Sequence, residues 1–280
     1  MRGNRRSTAR VQRLENAPRG VYVLPNLVTT AGLFCGIYAM AQVIDGAYLR
    51  AAIAILVAQV FDVLDGRIAR ITNSTSRFGL EYDSLCDLIS FGVAPSLLVY
   101  RWALEPLGNW GWLAPALFVC CAALRLARYN TMTTGGDTNT FTGLPVPAAA
   151  AQLATTVILY RFVGRAPMPD KQAVVLIAMY VLAILMVSSV PYLNGKQFRL
   201  NKRQPLWILL AGIVLLNFAI ARWQLFFFLG ATGYVVSGPA LWLWRKGRDE
   251  GSNGDSGEGD AGAAGGSGGG SSPTLTATAG

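Results

Sequence analysis

Residues 62–87 read DVLDGRIARITNSTSRFGLEYDSLCD, and this stretch constrains the fold of the chain. It places four aspartates inside segments that are otherwise apolar enough for hydrocarbon: Asp62, Asp65, Asp83 and Asp87. Four uncompensated carboxylates near the centre of membrane helices would cost on the order of 10 kcal/mol. We therefore expect the cost of burying these four carboxylates to be compensated by cations, by a water-filled cavity, or by both.

The spacing of these aspartates predicts that they point into one cavity. Asp62 and Asp65 are three residues apart and share a helix face, while Gly79, Asp83 and Asp87 follow one another at intervals of four. Because a helix rises about 1.5 Å per residue, Asp62 and Asp65 on one helix lie at a depth comparable to that of Asp83 and Asp87 on the next, measured from the turn that joins the helices. Because a short turn makes the two helices antiparallel neighbours, we expect the four carboxylates to converge.

The composition is typical of a polytopic membrane protein, because 52% of the 280 residues are hydrophobic and only 14% are charged. The absence of histidine excludes Ser-His relays, HExxH zinc sites and imidazole bases. The four cysteines lack CxxC spacing and lie in apolar stretches, so we interpret them as packing residues: Cys35, Cys86, Cys120 and Cys121. Any metal chemistry must then rest on oxygen ligands.

The apolar stretches predict an all-α polytopic membrane protein with about eight transmembrane helices, each near the ~20 residues that cross a bilayer. The predicted spans are 26–44, 50–69, 78–100, 110–128, 145–163, 172–192, 205–221 and 223–244. Residues 1–24 form a basic arm expected to contact lipid head groups, and residues 25–245 form the transmembrane domain that holds the four aspartates. Residues 246–280 form a Gly/Ser-rich tail with too little apolar surface to fold, so we expect disorder there.

The distribution of Lys and Arg predicts the orientation in the membrane. When alternate loops are assigned to the same side, one side receives the basic arm and most of the basic loops. The positive-inside rule therefore puts both termini and the aspartates at the cytoplasmic face of the cell membrane. The net charge of +9 comes from basic residues beside apolar spans, which predicts membrane lipids as partners and no nucleic acid.

Oxygen ligands alone predict a hard divalent metal, Mg²⁺ or Mn²⁺. Four negative charges can balance two ions, and two ions can clamp a diphosphate. Gly66 and Gly79 leave room for a nucleotide against the backbone, and Arg70 can neutralise phosphate. The residues thus favour metal-dependent phosphoryl transfer. Two alternatives stay open: the aspartates pair with Arg67, Arg70 and Arg77 to stabilise the turn, or they line an ion or proton pathway.

The stretch resembles the signature of the CDP-alcohol phosphatidyltransferase family, DxxDGxxARx8GxxxDxxxD. It matches at every specified position: Asp62, Asp65, Gly66, Ala69, Arg70, Gly79, Asp83 and Asp87. The resemblance covers residues 22–204, where it is carried further by LPNLVTTAGLFCGIYA, DSLCDLISFGVAPSLL, ALRLARYN and FTGLPVPAAA, and it is strongest to bacterial members that use serine. It implies a core of six membrane helices and displacement of CMP from a CDP-linked lipid by an alcohol.

The resemblance also implies a role for each matched residue. Asp62, Asp65 and Asp83 would ligate metal, while Asp87 would contact metal and accept the proton of the incoming hydroxyl. The residues that would border CDP-diacylglycerol are Gly66, Ala69, Arg70 and Gly79, with Asn26, Thr29 and Ser76 as further candidates. For Asn26, Thr29 and Ser76 the alternative interpretation is helix capping or turn formation.

The acceptor implied by the resemblance is L-serine, with phosphatidylserine and CMP as products. Arg125 and Arg128 could bind its carboxylate, although such arginines also serve as positive-inside anchors, and Asn130 could help to close the pocket. Glycerol phosphate or inositol phosphate stays open as the acceptor, since a basic run could bind its phosphate: Lys196, Arg199, Lys202 and Arg203. A homodimer is a further expectation from the resemblance.

Overall fold

The computed structural model describes residues 23–72, 76–134, 143–163, 171–188, 190 and 222–254, and in these ranges every regular element is a helix. The helices are α1 (Val23–Ile44), α2 (Tyr48–Ile71), α3 (Arg77–Trp110), α4 (Leu113–Thr134), α5 (Val146–Phe162), α6 (Lys171–Val187) and α7 (Trp223–Gly254). For the described residues, the prediction of an all-α fold is confirmed. The predicted span 205–221 and most of the predicted arm and tail lie outside the described residues, so the number eight stays a prediction.

Two of the described helices, α1 and α3, are long and apolar enough to cross a membrane, and α6 is apolar but shorter. The helix α2 has the length of a span but carries Asp62, Asp65, Arg67 and Arg70 within it. Those charged residues lower its mean hydropathy, and they are also the residues that make it a candidate site.

The third helix changes its winding along its length. It is α-helical over Arg77–Asp87 and Ala94–Val99, π-helical over Leu88–Val93 and Tyr100–Leu104, and 3₁₀-helical over Glu105–Trp110. Pro95 lies just after the first π-helical turn and has no N–H to donate to the turn before it, while the Ala94 N–H bonds to the Ile89 carbonyl five residues earlier. Both aspartates of α3 therefore lie on its regular first part.

Small residues let the helices around the aspartates pack closely. The helix α2 buries a face of alanines against α1 and its other neighbours: Ala51, Ala52, Ala54 and Ala58. A Cβ built on Gly36 of α1 would lie 2.5 Å from Ser90 Oγ and 2.8 Å from Ser90 Cα. The backbones of α1 and α3 therefore approach each other closely, just below the aspartates of α3.

The segment before α5 is fixed to the end of α6. The Gly143 N–H donates to the Val190 carbonyl at 2.9 Å, and the Leu144 N–H donates to the Leu185 carbonyl at 3.0 Å. Gly143 has φ +89°, and a Cβ there would lie 2.4 Å from the Met186 carbonyl oxygen, so this position requires glycine.

The last helix corrects one predicted boundary. The helix α7 continues to Gly254, past the predicted end of the span at 244 and into the predicted disordered tail. Its extra turns include residues of high helix propensity, so the helix need not end with its apolar part: Arg245, Lys246, Arg248 and Glu250. By its contacts the chain divides into two compact units, Met1–Leu241 and Trp242–Gly280.

Candidate metal centre

Three aspartates meet between α2 and α3. One carboxylate oxygen from each of Asp62, Asp83 and Asp87 lies within 4.8 Å of the other two. Asp62 comes from α2, whereas Asp83 and Asp87 occupy successive turns of α3. Carboxylates so close repel one another unless a cation or protons lie among them. The spacing therefore suits a divalent ion held by oxygen ligands.

The fourth aspartate, Asp65, lies outside this trio but lines the same narrow cleft, whose volume is about 10 Å³, or room for about one water molecule. Asp65 is only 5% exposed. Asp65 Oδ2 and Asp83 Oδ1 are buried and have no hydrogen-bond partner among the described residues. Buried carboxylate oxygens without donors are costly, and a bound hard cation would remove that cost. The chemistry of these side chains therefore fits a hard divalent cation.

The alternative in which arginines neutralise the aspartates finds no support in the described part of the chain, where the salt bridge present joins Arg101 to Glu105. Arg67 and Arg77 are exposed. Arg70 Nε donates to the Gly66 carbonyl at 2.8 Å, within its own helix. Turn stabilisation by ion pairs therefore does not explain the aspartates.

Three of the predicted nucleotide contacts lie together at the start of α3. Ser76 caps the helix, because its Oγ accepts a hydrogen bond from the Gly79 N–H at 2.9 Å. A Cβ built on Gly79 would lie 3.1 Å from Ser76 Oγ and 3.3 Å from Asn26 Oδ1. The capping interpretation of Ser76 is thus what the structure shows, and Asn26 of α1 faces the same cap.

The other predicted donor contacts differ in their surroundings. Thr29 is buried in the cleft beside Asp65 and donates to the Pro25 carbonyl at 3.1 Å. Gly66 is half-buried, and among the described residues a Cβ there would meet only Arg70 Nη2, at 3.9 Å. Ala69 is half-buried on the same helix. The space beside Gly66 is therefore open to a ligand.

The two acceptor candidates on α4 are placed differently. Arg125 interacts electrostatically with Asp87, and its Nε is buried without a hydrogen-bond partner among the described residues. Arg128 is exposed. Of the two arginines, Arg125 is therefore the one whose charge acts on an aspartate of the cleft. The basic run from Lys196 to Arg203 lies outside the described residues.

Sequence reasoning missed several polar contacts that fix α3 beside its neighbours. Tyr82 Oη and Thr30 Oγ1 are 2.8 Å apart and link α3 to α1. Asn130 Nδ2 donates to Ser84 Oγ at 3.0 Å and to Glu81 Oε2 at 3.2 Å, which links α3 to α4. The signal for Tyr82 and Ser84 was their position on either side of Asp83, since polar residues at that depth need partners.

Comparison with known proteins identifies the family of this arrangement. A sequence model of the CDP-alcohol phosphatidyltransferase family matches residues 22–191. The chain is 36% identical over 226 residues to the CDP-diacylglycerol–serine O-phosphatidyltransferase of Helicobacter pylori, covering 80% of this chain and 92% of that protein. It is 36% identical over 148 residues to the protein of the same name from Mycobacterium tuberculosis, covering 49% and 51%. It is 36% identical over 173 residues to the archaetidylserine synthase of Methanothermobacter thermautotrophicus, covering 60% and 69%.

Proposed function

The chain belongs to the CDP-alcohol phosphatidyltransferase family, and from this membership we propose that it transfers the phosphatidyl group of CDP-diacylglycerol to L-serine. The products are phosphatidylserine and CMP. The observation that carries the proposal is the meeting of Asp62, Asp83 and Asp87, all half-buried, in one narrow cleft. The choice of serine rests on relatives that are named for serine and aligned over most of this chain.

The metal ligands in this proposal are the four aspartates of the cleft: Asp62, Asp65, Asp83 and Asp87. Asp65 Oδ2 and Asp83 Oδ1 support that assignment, because both are buried and neither has a hydrogen-bond partner in the described part of the chain. Mg²⁺ or Mn²⁺ bound there, as two ions, would supply positive charge that stabilises the diphosphate and the leaving phosphate of CMP. The cleft has room for about one such ion.

The donor binds, in this proposal, along the face where α1, α2 and α3 meet. Gly66 offers open space for the nucleotide, and Gly79 keeps side-chain bulk away from Asn26. Arg70 is exposed at the end of α2, where its guanidinium can turn from the Gly66 carbonyl toward a phosphate. The acyl chains remain in the bilayer while the head group enters the cleft, which explains why the site lies on apolar helices.

The acceptor approaches from α4, where Arg125 offers a guanidinium to the serine carboxylate. The serine hydroxyl attacks the lipid-linked phosphorus of the donor. A new phosphorus–oxygen bond forms, the bond from that phosphorus to the bridging oxygen breaks, and CMP leaves with that oxygen. Asp87 takes the hydroxyl proton, which is the role that the family resemblance implies for the last aspartate of the signature.

The proposed site faces the cytoplasm, where CDP-linked lipids and serine meet. The support is the excess of Lys and Arg in the loops on the same side as the aspartates. The homodimer implied by the family resemblance stays a prediction.

A turnover assay tests the proposed function. Purified protein receives CDP-diacylglycerol and Mn²⁺ or Mg²⁺, with serine, glycerol phosphate or inositol phosphate in separate reactions. We expect CMP release and a new phosphatidyl lipid with serine alone. CMP release only with a phosphorylated alcohol would overturn the choice of serine, and no release with any acceptor would overturn the reaction itself.

The same assay tests Asp87 with a matched control. Asp87→Asn is expected to lower turnover by about 10³-fold while the protein stays folded, because the amide cannot accept the proton. Asp45→Asn makes the same chemical change in the exposed α1–α2 turn and is expected to leave turnover unchanged. Full activity of Asp87→Asn would refute its role as the base.

A further inference from the structure

We propose that Glu81 of α3 binds the ammonium group of the acceptor and thereby selects L-serine over phosphorylated alcohols. The inference rests on the proposed function and deepens it, because it names the side chain that distinguishes between the acceptors. The proposed function assigns the serine carboxylate to Arg125 and the serine hydroxyl to Asp87. The positive charge of serine is therefore left without a partner.

Glu81 is the described carboxylate that is placed to bind an ammonium group, which it does through a charge-assisted hydrogen bond. Outside the four aspartates of the cleft, the acidic side chains that the structure describes are Asp45, Glu81 and Glu105. Asp45 lies in the turn before α2, and Glu105 lies at the far end of α3, where it pairs with Arg101. Both are separated from the cleft by most of a helix, whereas Glu81 lies two residues before Asp83.

Glu81, Ser84 and Asp87 form a row along α3, because residues three apart lie on neighbouring turns of one side of a helix. The first two members contact α4 through one residue, since Asn130 Nδ2 donates to Ser84 Oγ at 3.0 Å and to Glu81 Oε2 at 3.2 Å. This part of the row therefore faces α4. Glu81 is exposed, whereas Ser84 and Asp87 are half-buried, so the row leads from water toward the cleft.

The length of this row suits a small amino acid. Asp87 follows Glu81 by six residues, which corresponds to about 9 Å along the helix axis. Two hydrogen bonds of about 2.9 Å each, with the few bonds that join the ammonium and the hydroxyl of serine between them, cover that distance. Serine can therefore place its ammonium at Glu81 while its hydroxyl meets Asp87.

Asn130 holds the Glu81 carboxylate toward α4 before the acceptor binds. Its hydrogen bond reaches Oε2, and an ionised carboxylate has about four lone-pair sites on its two oxygens, so Glu81 can accept from an ammonium at the same time. An exposed glutamate that is already held loses less side-chain entropy when a ligand binds. The contact with Asn130 therefore favours binding of the ammonium.

The charge of Glu81 also acts against the other acceptors. Glycerol phosphate and inositol phosphate carry negative charge and have no ammonium group. The salt bridge in the described part of the chain joins Arg101 to Glu105, so no described basic side chain pairs with Glu81. A carboxylate at the entrance of the cleft therefore attracts serine and repels a phosphorylated alcohol, and selectivity arises from both effects.

The first test compares KM for the two substrates. Glu81→Gln removes the charge and keeps the shape of the side chain, so we expect KM for serine to rise about tenfold, while KM for CDP-diacylglycerol stays within about twofold. Glu105→Gln makes the same chemical change at the other end of α3 and is expected to alter neither KM. An unchanged KM for serine, or an equal rise in both KM values, overturns the proposal.

A second variant tests the sign of the charge. Glu81→Lys places a positive charge at an exposed helical position, where lysine is well tolerated. Because this charge repels an ammonium group, KM for serine is expected to rise further than in Glu81→Gln. A smaller rise than in Glu81→Gln overturns the proposal, since the effect would then not follow the charge.

An analogue of serine without the ammonium group separates the proposed contact from a general effect on the site. β-Hydroxypropionate keeps the hydroxyl and the carboxylate, and its inhibition constant against serine is expected to stay the same or to fall in Glu81→Gln, because the variant loses no contact with it. A rise in that constant as large as the rise in KM for serine overturns the proposal. Failure of the wild-type protein to release CMP with serine would instead refute the proposed function.

Discussion

Gly79 lies against Asn26 where α1 meets α3, since a Cβ on Gly79 would stand 3.3 Å from Asn26 Oδ1 and 3.1 Å from Ser76 Oγ. Gly79→Ala must therefore move two polar side-chain ends. We expect KM for CDP-diacylglycerol to rise by about tenfold, while the free energy of unfolding falls by no more than about 1 kcal/mol, the value of a helix cap. CMP release against donor concentration and thermal unfolding measure the two effects. An unchanged KM for the donor would contradict the placement of the nucleotide here.

An alanine substitution at Gly66 is predicted to have the opposite effect on stability to one at Gly79. Among the described residues, a Cβ there would meet only Arg70 Nη2 at 3.9 Å, so the folded protein has room for a methyl group. Alanine is also a better helix former than glycine by up to about 1 kcal/mol. Gly66→Ala is therefore expected to raise the melting temperature and yet raise KM for CDP-diacylglycerol, because the methyl occupies space that the donor needs. If KM for the donor stays at the wild-type value, the donor does not approach Gly66.

Neutralising one aspartate should have opposite effects on the stability of the protein without metal and with metal. Without metal, the carboxylates of Asp62, Asp83 and Asp87 repel one another in a half-buried cleft, so Asp83→Asn should raise the melting temperature in EDTA. With Mn²⁺ at a hundred times its dissociation constant, the wild-type protein should gain about 2.7 kcal/mol of stability, and the variant should gain much less. Asp45→Asn serves as the control and should follow the wild type in both conditions. A full Mn²⁺ response by Asp83→Asn would remove Asp83 from the ligands.

The sequence was sufficient to predict features that depend on spacing along one helix. The interval of four between Asp83 and Asp87 placed them on one face of α3, because helical periodicity is a local property. The short segment between Asp65 and Asp83 predicted that α2 and α3 are neighbours, because a short connection keeps two helices adjacent. These local rules predict that Asp62 of α2 lies near the aspartates of α3, and in the structure it lines the same cleft as they do.

Features that depend on how helices cross were not predictable from one sequence. Asp65 lies outside the close trio, although its spacing from Asp62 puts both on one face of α2. The contact of Asn130 with Ser84 joins residues that are 46 positions apart. Nothing in the local pattern selects those partners among the other polar side chains. The extension of α7 to Gly254 was missed because its charged turns read as the start of the tail.

The contact of α1 with α3 predicts that alanine substitutions at Gly36 and Gly32, one helical turn apart on α1, differ strongly in their effect on stability. A Cβ on Gly36 would lie 2.8 Å from Ser90 Cα, which is backbone and can move only if the helices separate. Gly36→Ala is therefore expected to lower the free energy of unfolding by about 1–3 kcal/mol. Gly32→Ala provides the matched control, since its Cβ would meet Phe61 Cβ at 3.4 Å, an ordinary contact. Thermal unfolding in detergent compares them, and equal stability of the two variants would contradict the close packing.

The proposed orientation can be tested at the two ends of α2. Asp45 precedes this helix and Arg77 follows it, and both are exposed. Because 24 residues of helix span about 36 Å, the two positions should lie on opposite sides of a bilayer core about 30 Å thick. Asp45→Cys should react with a membrane-impermeant maleimide in intact cells, whereas Arg77→Cys should react only after permeabilisation, with the parent chain and its four native cysteines as the blank. The reverse pattern would put the aspartates at the outer face, away from the cytoplasmic pool of serine, and would contradict the proposed acceptor route.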